Sequence, residues 1–156
     1  MTAKDPIRLR DRYVRIEEQL RDHFRKTPDP IARMATAASL LHHKMPHFFW
    51  TGFYRLVGED LIVGPYQGSV ACQVLARGTG VCWASIQKNE VVLVPDVHEF
   101  PGHIACDARS KSEVVAPVRE PGGMVRGVLD VDSDRLDAFD DVDAAALGRI
   151  ADLILS

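Results

Sequence analysis

Ser112-Glu113-Val114-Val115-Ala116-Pro117-Val118-Arg119, followed by Glu120-Pro121-Gly122-Gly123 and then Met124-Val125-Arg126-Gly127-Val128-Leu129-Asp130-Val131-Asp132-Ser133, is the stretch from which the fold can be read. Two runs rich in β-branched residues flank a proline-glycine turn, the pattern of strands joined by a tight connection. Side chains alternate along a strand, so Leu129 and Val131 face one side while Asp130 and Asp132 face the other. Upstream, Phe48 to Leu56 and Leu61 to Tyr66 are β-favouring runs separated by Val57-Gly58-Glu59-Asp60, which predicts a hairpin. Val91 to Val94, ended by Pro95, predicts a further strand, and Gly78 and Gly80 bound a turn into a short helix from Cys82 to Lys88.

Helices bracket these strands. Asp5-Pro6 reads as an N-cap with a first-turn proline, and Leu9, Tyr13, Ile16, Leu20 and Phe24 follow on one stripe. Asp29-Pro30 repeats the signal for an alanine-rich helix from Ile31 to His43, closed by Pro46. A last helix starts near Asp140, with Val142, Ala146, Ile150, Leu153 and Ile154 on its apolar face. Helices packed on an antiparallel sheet make an α+β domain, and no repeat or second domain is expected. His42 and His43, at the end of their helix, read as surface or capping residues.

The composition agrees. At 156 residues, 46% hydrophobic and 26% charged, the chain matches one globular domain that can bury a core without staples or a structural metal. With 19 basic and 22 acidic residues the net charge is -3, which argues against nucleic acid as a partner. The N-terminal segment carries charges throughout, unlike a signal peptide, and no run is apolar enough to span a membrane. A cytoplasmic protein without a membrane partner is expected. In a reducing compartment its three cysteines are either chemical or small core residues.

Cys106 lies in a segment from Asp96 to Lys111 that has no helical or alternating period, and segments of that kind inside compact domains are commonly functional. Cys72 and Cys82 are too far from it, and from each other, for a C-x-x-C motif or common zinc-ribbon spacing. If the cysteines act together, a thiolate attacks an electrophile, becomes a sulfenic acid and is resolved as a disulfide by a second cysteine. Glu113 stands one strand before Asp130 and Asp132. Three acids around one space would favour a cationic group such as an α-ammonium, and their repulsion would raise at least one pKa; the other reading is a solvated polar face. Trp50, Gly52 and Tyr54 alternate onto one face of the first strand, either leaving a gap for a small apolar or methylated group or packing in the core. His98, His103 and Cys106 share one loop and form an alternative set of metal ligands, though their spacing matches no established geometry.

Taken together, Trp50-Thr51-Gly52-Phe53-Tyr54, Gly64-Pro65-Tyr66-Gln67-Gly68, Ala71-Cys72, Gly80-Val81-Cys82, Val94-Pro95-Asp96-Val97-His98, Phe100-Pro101-Gly102-His103-Ile104-Ala105-Cys106-Asp107, Ser110-Lys111-Ser112-Glu113 and Gly127 to Ser133 resemble the free methionine-(R)-sulfoxide reductases, which are GAF-domain enzymes. The likeness runs from Asp29 onward, and its most specific parts are the Pro101 to Asp107 loop and the relative positions of the three cysteines. It implies a GAF-like fold with a central antiparallel sheet of about six strands and packed N- and C-terminal helices. Residues 1–156 would form a single GAF domain, residues 1–28 being an N-terminal helical extension, and the molecule a homodimer.

The resemblance also implies roles. Cys106 matches the nucleophile, Cys72 the resolving cysteine and Cys82 a third family cysteine, which the resemblance places with the other two in the catalytic set. Glu113, Asp130 and Asp132 match the acids that hold substrate, and Trp50 and Tyr54 the aromatic wall beside its methyl group. The implied reaction converts free L-methionine-(R)-sulfoxide to L-methionine through a Cys106 sulfenic acid and a disulfide that thioredoxin reduces, with no metal or organic cofactor. Two positions depart from the family pattern: Trp83, whose indole would crowd the Cys82 helix or close the pocket, and Thr51, where an apolar residue is commoner. The competing function is a GAF module that senses a small molecule or redox state without turnover.

Overall fold

The computed structural model describes residues 4–103 and 106–156, so Ile104 and Ala105 of the cysteine loop lie outside the described residues. Helix α1 (Pro6–Phe24) starts where the Asp5 carboxylate accepts the N–H groups of Ile7 and Arg8, and α2 (Pro30–Lys44) where Asp29 accepts that of Ala32. The hairpin of β1 (Trp50–Val57) and β2 (Asp60–Gln67) turns at Gly58, whose φ of 62° is open to glycine at no steric cost. Then come β3 (Val74–Leu75), α3 (Gly80–Lys88), β4 (Val92–Val94), a 3-10 turn at Val97–Glu99, β5 (Ser112–Arg119), β6 (Val125–Ser133) and α4 (Asp141–Leu153). Among the described residues the strands form one antiparallel sheet in the order β3-β2-β1-β6-β5-β4. The predicted elements are present with ends shifted by one or two residues. The exception is β3, whose two residues are too short to show an alternation.

The sheet divides the interior. On one face Phe53, Val114, Ala116, Val118, Leu129 and Val131 pack against the apolar stripes of α1, α2 and α4. On the other, Trp50, Tyr54, Val115 and Val128 meet Val81 and Cys82 of α3, with Val94 and Val97 beside them. Each fully buried Val or Leu is worth about 1.5–3 kcal/mol, so both faces contribute. One buried polar hub ties the N-terminal helix to the rest. The Asp143 carboxylate of α4 accepts from Tyr13 Oη (2.6 Å) and Lys4 Nζ (2.7 Å) and lies 3.0 Å from His47 Nε2. Burial pushes the Asp143 carboxyl up, but the groups bonded to it outweigh burial and hold it well below the usual range. Arg33 of α2 makes a second tie, donating to the carbonyl oxygens of Phe24, Thr27 and Ser156 at 2.9 Å each. No helix among the described residues is long and apolar enough to cross a membrane.

Candidate functional site

The parity of β6 delivers the acids. Asp130 pairs across the sheet with Gly52 of β1 and Val115 of β5, and Asp132 with Trp50 and Glu113. All therefore project from the face opposite the three long helices. That face is covered rather than solvated, because α3, the segment around residues 69–79 and His103, Cys106, Asp107 and Ser110 lie over it; Asp130 is 6% exposed and Glu113 5%. Cys82 Sγ, a Glu113 oxygen and an Asp130 oxygen all lie within 4.8 Å of one another. Asp130 Oδ1 is buried with no hydrogen-bond partner among the described residues.

These surroundings decide the protonation states. Burial, and then the negative charges of Asp130 and Asp132, push the Glu113 carboxyl well up, while burial and Asp130 do the same to Asp132. Burial also raises Asp130, with Glu113 and Cys82 opposing it. Cys82 is raised by burial and by Asp130, which keeps it a thiol and a poor nucleophile at neutral pH. His103 reaches the same acids, its Nδ1 4.0 Å from Glu113 Oε1, and burial lowers its pKa.

Two aromatic rings wall the cavity and a third backs them. Trp50 stacks on Tyr54 with centroids 5.9 Å apart and on Tyr66 of β2 at 5.2 Å. Trp50 Nε1 donates to the Ser69 carbonyl (3.1 Å) and Tyr54 Oη to that of Cys72 (3.0 Å), so both rings are fixed from the loop that carries Cys72. Of the two readings open at Gly52, a gap or packed aromatics, the structure shows packing. A Cβ there would meet Tyr66 Cβ and stand 2.7 Å from Trp50 Cη2, so the glycine makes room for the indole itself. Tyr66 was not singled out from the sequence, and the signal for it was a glycine facing an aromatic residue on the partner strand.

Cys72 and Cys106 form a disulfide, with Cα atoms 5.6 Å apart, and Cys82 remains free and buried. Two distant segments are held in register for it. Lys111 N–H donates to the Ser133 carbonyl (2.8 Å) and Val97 N–H to that of Lys111 (2.9 Å), closing the base of the Cys106 segment. Ser69 Oγ donates to Asp107 Oδ2 (2.7 Å), and Arg109, whose guanidinium lies over the Phe49 ring, bonds Asp107 from the other side. The hydrogen bonds from Arg109 and Ser69 hold the Asp107 carboxyl well below the usual range. Seven of the eight residues expected in the site (Trp50, Tyr54, Cys82, Cys106, Glu113, Asp130 and Asp132) line one cavity, and Cys72 is bonded to Cys106 at its edge.

Other expectations need correction. His98, His103 and Cys106 do not gather as metal ligands: Cys106 is bonded to Cys72, and exposed His98 pairs with Asp96 at 3.1 Å. Trp83 packs at the rim of the apolar cluster under α3 and does not line the cavity, so it does not close the pocket. His42 is half-buried at the end of its helix and also makes a bridge the sequence did not suggest, its Nδ1 3.2 Å from Thr51 Oγ1. That bond explains the hydroxyl at Thr51, which is fully buried on the helix-covered face. His43 is exposed and bonds the Ser39 carbonyl of its own helix, as expected of a capping residue.

The sheet order and the cavity between α3 and the sheet define a GAF domain, and the GAF domain family model matches residues 37–155. Over 131 residues the chain is 40% identical to the free methionine-R-sulfoxide reductase of Saccharomyces cerevisiae, a span of 80% of this chain and 73% of the yeast protein. It is 39% identical over 145 residues to GAF domain-containing protein A of Dictyostelium discoideum, covering 92% and 90% of the two chains. The X-ray structure of free methionine-R-sulfoxide reductase from Neisseria meningitidis in complex with its substrate matches with a TM-score of 0.85 at 35% identity, covering 99% of this chain and 91% of that one. The chain belongs to the GAF-domain family of free methionine-R-sulfoxide reductases, as the resemblance led us to expect.

Proposed function

We propose that this protein reduces free L-methionine-(R)-sulfoxide to L-methionine. The observation that carries the reading is a Cys72–Cys106 disulfide at the edge of a cavity floored by Glu113, Asp130 and Asp132 and walled by Trp50 and Tyr54. In the dithiol form the Cys106 thiolate attacks the sulfoxide sulfur, and an acid of the floor protonates the departing oxygen. The S–O bond breaks as the protonated oxygen passes to the Cys106 sulfur, the transient bond between Cys106 and the substrate sulfur breaks with its electron pair left on that sulfur, and methionine leaves while Cys106 carries the oxygen as a sulfenic acid. Cys72 attacks that sulfur, water leaves and the disulfide forms. Thioredoxin then returns both cysteines to thiols by exchange. Cys82, held as a buried thiol, takes no part in this exchange.

Buried carboxyls suit the substrate's α-ammonium, and the stacked aromatics suit its methyl end. A peptide bond removes the ammonium charge, so the floor selects the free amino acid over a protein residue. The same reading takes residues 1–156 as one GAF domain, with 1–28 its helical extension, working in the cytoplasm. It also makes the molecule a homodimer, and exposed Ile7 and Val14 on α1 suit such a contact.

Thioredoxin-coupled NADPH oxidation is the test, run with the free (R) epimer, the (S) epimer and a blocked peptide sulfoxide. Turnover of the free (R) epimer alone, abolished in Cys106→Ser, is expected. A folded protein with titratable thiols and no turnover on any of the three would leave the sensor module in its place.

A further inference from the structure

We propose that Cys82, Glu113 and Asp130 form a binding site for Zn2+, and that the ion blocks the cavity to substrate. The three ligand atoms already lie within 4.8 Å of one another, each on a buried residue, and a small contraction brings them to the 2.0–2.3 Å bonds of zinc. A second observation points to a cation. Glu113 and Cys82 hydrogen-bond the Asp130 carboxyl, but its buried Oδ1 is left without a partner among the described residues, an expensive arrangement for a carboxylate oxygen unless something positive faces it.

The donor set chooses among cations. A thiol with two carboxylates suits zinc, whereas Mg2+ and Ca2+ require six or more oxygens and gain nothing from sulfur. On binding, the Zn–S bond forms as the Cys82 proton passes to solvent, and no electron is transferred. Three protein ligands leave the fourth tetrahedral position to water. The ligands come from α3, β5 and β6, none of which carries Cys72 or Cys106.

The ion's regulatory role rests on the reductase reading, because it would occupy the place of the substrate ammonium; binding itself does not. The experiment therefore uses the full chain in its disulfide form, where Cys82 is the one free thiol, and titrates it with Co2+. Expected are one equivalent of Co2+ with a thiolate-to-cobalt charge-transfer band, displacement by one equivalent of Zn2+, and no displacement by excess Mg2+. Asp130→Asn and Glu113→Gln should each lower the affinity at least tenfold. A missing band in protein with its disulfide intact overturns the proposal, as does a band whose affinity neither variant changes, or equal competition by Mg2+. The wild-type spectrum with its Zn2+ and Mg2+ arms decides the matter should either variant fail to fold. A chain that ligates Co2+ but reduces no sulfoxide keeps the metal site and removes the reductase; in the active protein Zn2+ should raise the apparent KM for sulfoxide.

Discussion

Asp130 and Asp132 show how far a single strand position can decide chemistry. Their shared parity is legible in Gly127 to Ser133, but whether that face is wet or covered is not, because the cover comes from α3, some fifty residues earlier. Buried charge pairs are costly to break, by about 2 kcal/mol or more. Asp130→Asn and Asp132→Asn should therefore each lower kcat/KM for the free sulfoxide by roughly tenfold or more while the thiol count stays unchanged. Unaltered kinetics in both would take these acids out of contact with substrate. Gly52 supports the aromatic wall from beneath. Gly52→Ala puts a methyl into Trp50 and Tyr66, and overpacking of this kind should cost about 1–3 kcal/mol, read as a lower urea midpoint with an unchanged slope.

At the scale of elements, α1 is joined to the domain by polar as well as apolar contacts. The stripe Leu9, Tyr13, Ile16, Leu20 and Phe24 was readable from spacing; the Asp143 carboxylate that receives Tyr13 was not, because a buried acid interrupts the apolar pattern of α4. Since folding lowers the pKa of Asp143, its contribution to stability is fully present above the unfolded carboxyl value near pH 4 and is lost as pH falls through the lower folded value. Asp143→Asn should destabilise the protein by about 3 kcal/mol at neutral pH, because the Lys4 ammonium loses its counter-charge and the buried bonds to the carboxylate are disrupted. The difference from wild type should shrink below about pH 4 in urea titrations, and a pH-independent difference would contradict the assignment. Strand β3 illustrates the other limit. Two residues carry no period, and Val74–Leu75 is a strand only because β2 offers it an unpaired edge.

In the whole molecule, chemistry depends on segments distant in the chain meeting over one sheet face. Ser69 and Asp107 bridge the two segments that carry the cysteines. Ser69→Ala should slow closure of the disulfide several-fold after one equivalent of sulfoxide, followed as thiol loss by quenched flow; closure at the wild-type rate would make the bridge incidental. What the amino-acid sequence determined by itself was the order of elements, the antiparallel α+β class, the parity of the acids and, through motif resemblance, the family. These rest on local period, caps and turns, which act over a few residues. The tertiary structure decided the rest: that Cys72 meets Cys106 across a separation of 34 residues while Cys82 is sealed beside Asp130, and that His42 bonds Thr51. It also decided that Trp50 fills the space above Gly52. Spacing along a chain does not specify distance through a fold, and protonation follows burial, which appears only once the helix and loops close over the sheet.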